Sequence, residues 1–183
     1  YKKLVYTFHG IHTTCLGRLN RFIYILYENL TGWLDDEKVF VSISEKLQAI
    51  NSKIFIGKNS QIINNSSKEM NRFKVNTKKN NLKIGIKNDR KNIISVSRFV
   101  YQKNIFEIFD IAKNLSSFNF IILGDGQLFD EAKIYLKTNK IKNVYLFGKK
   151  IDVFKYLYES DLFLSTSLYE GHPISILEAM SIG

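Results

Sequence analysis

The sequence predicts an α/β fold with parallel sheets flanked by helices, on three observations. Short apolar runs alternate with stretches of helical periodicity along most of the chain, the pattern of strand–helix–strand units. The runs are continuous rather than alternately polar and apolar, as strands covered on both faces require. A polar tract without periodicity, residues 64–82, divides the pattern in two and reads as an interdomain linker. The 183 residues are 45% apolar and 24% charged, which excludes a disordered, collagenous or coiled-coil chain.

Taken in order, Leu4 to Phe8 reads as a buried strand ending in the turn His9-Gly10. From Gly17, the residues Leu19, Phe22, Ile23, Leu26 and Leu30 recur at helical spacing and predict the core face of a helix stopped at Thr31-Gly32. Tyr24 and Ile25 then fall on the opposite side, beside Arg18 and Arg21, a surface for a lipid-linked acceptor or for further polypeptide of the same domain. Lys38 to Ile43 reads as a strand, Ser44 and Glu45 as the start of a short helix through Leu47 and Ile50, and Ile62-Ile63 as a last apolar stretch before the polar tract.

After the tract, Asn92 to Ser97 predicts a strand, and Ile105, Ile108, Phe109, Ala112 and Leu115 one face of a helix. The strand Phe118 to Leu123 is broken by Gly124-Asp125-Gly126, and Leu128, Ala132, Tyr135 and Leu136 mark the next helix. Val144 to Phe147 with Gly148 is a strand, Asp152 caps a helix through Tyr158, Asp161 to Ser165 is a strand, and Pro173 opens a last helix through Met180.

The net charge of +10 is concentrated in the first half, with 17 Lys and Arg against 7 Asp and Glu in residues 1–91 and 10 against 10 in residues 92–183. The richest part, residues 53–91 with Lys68, Arg72, Lys74, Lys78 and Lys79, reads as a solvated linker or as a surface for nucleic acid or anionic lipid. The first is preferred and no nucleic acid is expected, because the charges lack the repeated aromatic interleaving of a single-strand binder. One cysteine, Cys15, makes neither an internal disulfide nor a cysteine metal cluster, which suits a cytoplasmic protein. The longest apolar run, Phe22 to Tyr27, is far short of the ~20 residues that span a bilayer. The chain opens on Tyr1 and stops after Ser181-Ile182-Gly183, so a fragment of a longer polypeptide is expected.

In parallel sheets ligands bind beyond the carboxyl ends of strands, here the loops after Ser97, Leu123, Phe147 and Ser165. The first of these holds Arg98 and, five residues on, Lys103, a guanidinium fork and an ammonium that suit a diphosphate, although cations are common at such places. Glu170-Gly171-His172-Pro173 precedes the last helix, which carries Glu178-Ala179-Met180. The glycine permits close backbone approach, and the carboxylates of Glu170 and Glu178 suit sugar and ribose hydroxyls; two solvated glutamates on a capped helix are the bland alternative. His12 and Cys15 have no metal-ligand spacing, Asp125 reads as turn geometry and His172 as loop packing.

These residues carry a resemblance. Ser97-Arg98 with Lys103, Gly124-Asp125-Gly126, Phe147-Gly148 and Glu170-Gly171-x-Pro173 with Glu178-Ala179-Met180 resemble the retaining glycosyltransferases of family 4, with the GT-B fold of two Rossmann-like domains. The likeness covers most of residues 92–183 and, more loosely, residues 1–63, where Thr7-Phe8-His9-Gly10 and Val41-Ser42-Ile43-Ser44-Glu45 look like the later part of an acceptor domain. It implies residues 1–81 as the end of the acceptor-side domain with a basic linker, and residues 82–183 as a nucleotide-sugar-binding domain truncated at its C-terminus.

By the same resemblance Arg98 and Lys103 hold the donor diphosphate, the backbone at Gly148 and Lys149 meets the nucleobase, Glu178 the ribose and Glu170 the donor sugar, and His9 faces the reaction centre. On residues alone His9 is a turn histidine. The implied activity is sugar transfer with retention from a nucleotide-sugar to a glycan or lipid-linked acceptor in cell-surface polysaccharide biosynthesis, with no metal cofactor. The implied location is cytoplasmic, with peripheral contact at an anionic membrane. An Asn-Gly pair usual in the family is here Asn65-Ser66, and His172 replaces an apolar residue. The rival readings are a nucleotide-sugar epimerase of the same fold, a non-catalytic sugar-nucleotide binder and a basic nucleic-acid binder.

Overall fold

The computed structural model describes residues 3–11, 13, 16–57, 59–67, 86 and 89–183. The chain divides into one unit of Tyr1–Ser66 with Glu170–Pro173, and another of Ser67–Tyr169 with Ile174–Gly183. The boundary expected between residues 81 and 82, the run Lys68 to Lys79, and His12 and Cys15 lie outside the described residues.

In the first unit, β1 (Val5–Phe8), β2 (Glu37–Phe40) and β3 (Ser60–Ile62) form a parallel sheet in the order β1-β2-β3. Phe8 lies opposite Phe40, and Phe40 opposite Ile62, so the carboxyl ends of the strands are level. The Phe8 and Phe40 rings stack at 4.8 Å, at the centre of a core completed by Ile11, Ala49 and Ile54. Helix α1 (Arg18–Thr31) connects β1 to β2, and α2 (Ile43–Asn51) connects β2 to β3.

The α1 core face is the reverse of the one predicted. Leu19, Phe22, Ile23, Leu26 and Leu30 are exposed, while Tyr24 and Ile25 pack on the core and Glu28 is buried. Apolar residues nearly encircle this helix, so periodicity offers two faces, and the polar residue decides between them. Tyr6 donates from its hydroxyl to Glu28 Oε1 at 3.2 Å and Tyr24 bonds the same carboxylate, which makes burial of Glu28 tolerable. Lys38 is buried similarly, 3.4 Å from Asp35 and 5.6–5.7 Å from the ring centroids of Tyr6, Phe8 and Phe55. Strand β2 ends at Phe40, earlier than predicted, because the cap of α2 is Ser42 rather than Ser44: its hydroxyl accepts the Glu45 amide at 3.2 Å.

In the second unit, β4 (Lys91–Val96), β5 (Phe118–Leu123), β6 (Val144–Gly148) and β7 (Leu162–Phe163) form a parallel sheet in the order β6-β5-β4-β7. Strand alternation sends Ile93, Phe120 and Ile122 to one face, where they pack with α3 (Ile105–Asn114) and α4 (Phe129–Thr138). Ile94, Ile121 and Leu123 go to the other, against α5 (Phe154–Tyr158) and α6 (Ile174–Met180). Both faces are therefore covered, which explains the unbroken apolar runs. Asn143 is buried and donates from Nδ2 to the carbonyls of Ala112, Leu115 and Phe118 at 2.9–3.1 Å, satisfying the end of α3. The cap of α5 is Val153 rather than Asp152, which stands one residue earlier and accepts the Lys155 amide on Oδ1 at 3.3 Å. The strand expected over Asp161 to Ser165 pairs only at Leu162 and Phe163.

Candidate functional site

The carboxyl ends of β4, β5 and β6 are laced together by backbone. The Ser97 amide donates to Leu123 at 3.0 Å, the Gly124 amide to Gly148 at 2.9 Å, and the Phe99 amide to Asp125 at 3.0 Å. Two glycines make this possible. A Cβ on Gly124 would fall 1.9 Å from the Ser97 carbonyl oxygen and one on Gly126 2.6 Å from that of Phe99, and both have positive φ, 134° and 155°. Asp125 Oδ1 accepts the Gly126 amide at 2.7 Å, the turn role read from the sequence.

This lacing presents Arg98, exposed, at the end of the central strand β4. Lys103 closes a single 3-10 turn, Tyr101–Lys103, and Asn104, at φ 47°, leads directly into α3. The loop after β7 is tied to that turn: the Thr166 hydroxyl donates to the Lys103 and Asn104 carbonyls at 3.1 and 3.0 Å, and Gln102 Nε2 to that of Tyr169 at 2.9 Å. Gly148 has φ 66° with open space where a Cβ would stand, so the backbone conformation rather than crowding calls for glycine, and Lys149 beside it is exposed. Glu178, half-buried on α6, has its carboxyl pushed above the ordinary carboxylate range by burial. Arg98, Lys103, Gly148, Lys149 and Glu178 thus all belong to the second unit, at or beyond the ends of three strands of its parallel sheet, β4, β6 and β7.

Glu170 and His9 belong to the first unit. His9 is exposed at the end of β1, and the following Gly10, φ 123°, donates its amide to Glu45 Oε1. Glu170 precedes Gly171, where a Cβ would fall 3.1 Å from Glu45 Oε1 and 3.2 Å from Val41 Cγ2. Asn65 Nδ2 donates to the His172 carbonyl at 2.8 Å, so the asparagine of the Asn65-Ser66 pair anchors this loop. His172 is half-buried in the loop, as its packing role requires. Sequence reasoning did not single out Glu45 as a site residue. Its signal was the Ser42-x-x-Glu45 pattern of a helix start, which does not reveal what the second carboxylate oxygen reaches.

Helix-flanked parallel sheets with cations and glycine turns at the strand ends define a GT-B-type α/β protein. The chain belongs to the glycosyl transferases group 1 family, whose model matches residues 76–183. It is 35% identical over 108 residues to the UDP-Gal:alpha-D-GlcNAc-diphosphoundecaprenol alpha-1,3-galactosyltransferase of Escherichia coli, a match covering 55% of this chain and 28% of that protein. The fold matches Anabaena Alr3699/HepE, solved in complex with UDP-glucose, at a TM-score of 0.78 and 18% identity over 99% of this chain and 51% of that one. It also matches WaaG, a glycosyltransferase involved in lipopolysaccharide biosynthesis, at a TM-score of 0.74 and 16% identity over 97% and 54%. The chain therefore spans between a quarter and about half of the length of these proteins. Among the described residues no helix is long and apolar enough to cross a membrane.

Proposed function

We propose that the polypeptide carrying this chain transfers a sugar from a nucleotide-sugar donor to a glycan or lipid-linked acceptor, with retention, in cell-surface polysaccharide biosynthesis. Residues 82–183 bind the donor and residues 1–81 belong to the acceptor side. The observation that carries the reading is that Arg98, Lys103, Gly148, Lys149 and Glu178 stand at, or on elements that follow, the carboxyl ends of β4, β6 and β7 of one parallel sheet in a chain of the glycosyl transferases group 1 family. The E. coli relative, named for a diphosphoundecaprenol acceptor, favours a lipid-linked one here.

Arg98 and Lys103 bind the diphosphate, Glu178 accepts hydrogen bonds from the ribose, Gly148 and Lys149 meet the base through backbone, and Glu170 holds the transferred sugar near His9. When the anomeric C–O bond breaks, its electron pair goes to the diphosphate oxygen, where the two cations meet the growing charge. The acceptor hydroxyl bonds to the anomeric carbon from the face being vacated, and its proton passes to the departing phosphate. No metal is required in this scheme, because side-chain cations supply the charge.

Arg98→Ala and Lys103→Ala test it in the polypeptide that carries this chain. Each cation binds the transition state more tightly than the ground state, so each loss costs ~2–4 kcal/mol in turnover, about two to three decades. Donor affinity changes less. A raised donor KM with turnover intact in both variants refutes the assignment.

A further inference from the structure

We infer that Glu45 is a positioning residue that sets the His9-Gly10 turn and the Glu170-Gly171 loop against each other; its bearing on catalysis rests on the transfer reading above. Glu45 stands in the first turn of α2, in the Ser42-x-x-Glu45 pattern of a capping box, but its Oε2 accepts the Val41 amide at 3.0 Å, one residue before the Ser42 amide that a capping-box glutamate takes. The rest exceeds what a cap needs. The residue is 2% exposed, where a capping glutamate normally sits in solvent. Its other oxygen, Oε1, accepts the amide of Gly10, the residue after His9. Oε1 is also the atom nearest to where a Cβ on Gly171 would stand, at 3.1 Å. One buried carboxylate therefore lies against the neighbours of both His9 and Glu170.

The same helix extends the hold. Gln48, one turn on, donates from Nε2 to the Ile11 carbonyl at 3.0 Å, and Ser52, another turn on, pairs its hydroxyl with that of Thr13 at 2.9 Å. Residues 45 and 48 of α2 and its C-cap Ser52 line one side, and their partners 10, 11 and 13 follow in order along the loop, so the turn bearing His9 is fastened to α2 and its cap at three points. At Glu45 this row also reaches the loop of Glu170. Both oxygens of Glu45 receive N–H donors, so the site demands an acceptor at each. Glutamine, equal in shape, presents an amide hydrogen to one of them, and Gly171→Ala places a Cβ 3.1 Å from Oε1, which the carboxylate or the loop must relieve by a shift of a few tenths of an ångström.

The test is Glu45→Gln and Gly171→Ala in the polypeptide that carries this chain, read by amide hydrogen exchange and by kinetics. Exchange is expected to speed up roughly tenfold or more at residues 9–11 and at residues 169–172 together, with β4 and β5 unchanged. Turnover is expected to fall roughly 10-fold to 100-fold, with nucleoside diphosphate affinity within about twofold of wild type. Gln48→Ala, which touches only the first loop, speeds exchange at residues 9–11 alone. Faster exchange at one loop only in Glu45→Gln, loss of turnover in step with nucleotide affinity, or wild-type turnover beside an impaired His9→Ala each overturns the inference. If His9→Ala and Arg98→Ala both keep wild-type turnover, the transfer reading is what fails, and exchange at the two loops still decides whether Glu45 ties them.

Discussion

Burial holds the Glu178 carboxyl above the usual range, whereas Glu170 belongs to the loop whose next residue lies against Glu45. The two glutamates should therefore fail differently. Glu178→Gln weakens the free nucleoside diphosphate and the intact donor by similar factors, and Glu170→Gln leaves diphosphate affinity nearly unchanged while lowering turnover by ~1.5–3 kcal/mol. In wild type, nucleotide affinity falls as pH drops through a pKa above the ordinary glutamate value of ~4.3, and this limb is absent in Glu178→Gln. Calorimetric titration across pH, beside transfer rates, checks both statements; equal losses of nucleotide affinity in the two variants refute the division. A second titration belongs to the buried network of the first unit. The Tyr6 phenol is pushed up to about 12, first by desolvation and then by the Glu28 charge and hydrogen bond. A raised folded pKa stabilises fully below the unfolded value of ~10 and loses that contribution as pH rises to about 12. Unfolding monitored between pH 9 and 12.5 should show a loss of stability that Tyr6→Phe diminishes.

Helix α1 has the face that its composition conceals. Because Ile25 packs on the core while Leu26 next to it is exposed, Ile25→Ala should cost roughly 2–4 kcal/mol and Leu26→Ala about 0.5 kcal/mol or less in chemical denaturation of the 183-residue chain. The reverse order would restore the periodicity-based face. Helix α2 draws its start from Ser42 and its alignment from Glu45, Gln48 and Ser52, so its polar side carries as much structural information as Ala49 on its apolar one. The sheet of the second unit depends on glycines at its exits: at Gly124 even alanine would collide with the Ser97 carbonyl.

As a whole, the chain combines a four-stranded unit carrying Arg98, Lys103, Gly148, Lys149 and Glu178 with a three-stranded unit carrying His9 and Glu170. It matches 28% of the E. coli galactosyltransferase and 51% of HepE. Transfer requires reacting groups held together in one geometry, and a 1 Å misplacement is costly. The 183-residue chain alone should therefore bind nucleoside diphosphate weakly and sustain no sugar transfer. Sustained product formation by the purified chain, followed with a radiolabelled donor, refutes this.

The α/β class, the order of strands and helices in the second unit, and the family were legible in the residues, because they rest on local signals: continuous apolar runs, glycine turns at strand ends, and Glu170-Gly171-x-Pro173 followed by Glu178. Periodicity placed Ile105, Ile108, Phe109, Ala112 and Leu115 on one face; the first four are buried there, whereas Leu115, past the end of α3, is exposed. The inward face of α1 was not legible, since a helix apolar on nearly every side leaves the choice to its partners, and two tyrosine hydroxyls reaching Glu28 made that choice. Nor was the reach of Glu45 legible. The Ser42-x-x-Glu45 pattern marks the start of the helix, but one carboxylate oxygen meets the Val41 amide and the other meets Gly10, 35 positions away along the chain, and the loop of Gly171, which only folding brings beside it. Local spacing encodes elements because neighbours along the chain set backbone geometry. Contacts between distant residues depend on how those elements pack, and here packing decided which polar groups were buried and what each of them holds.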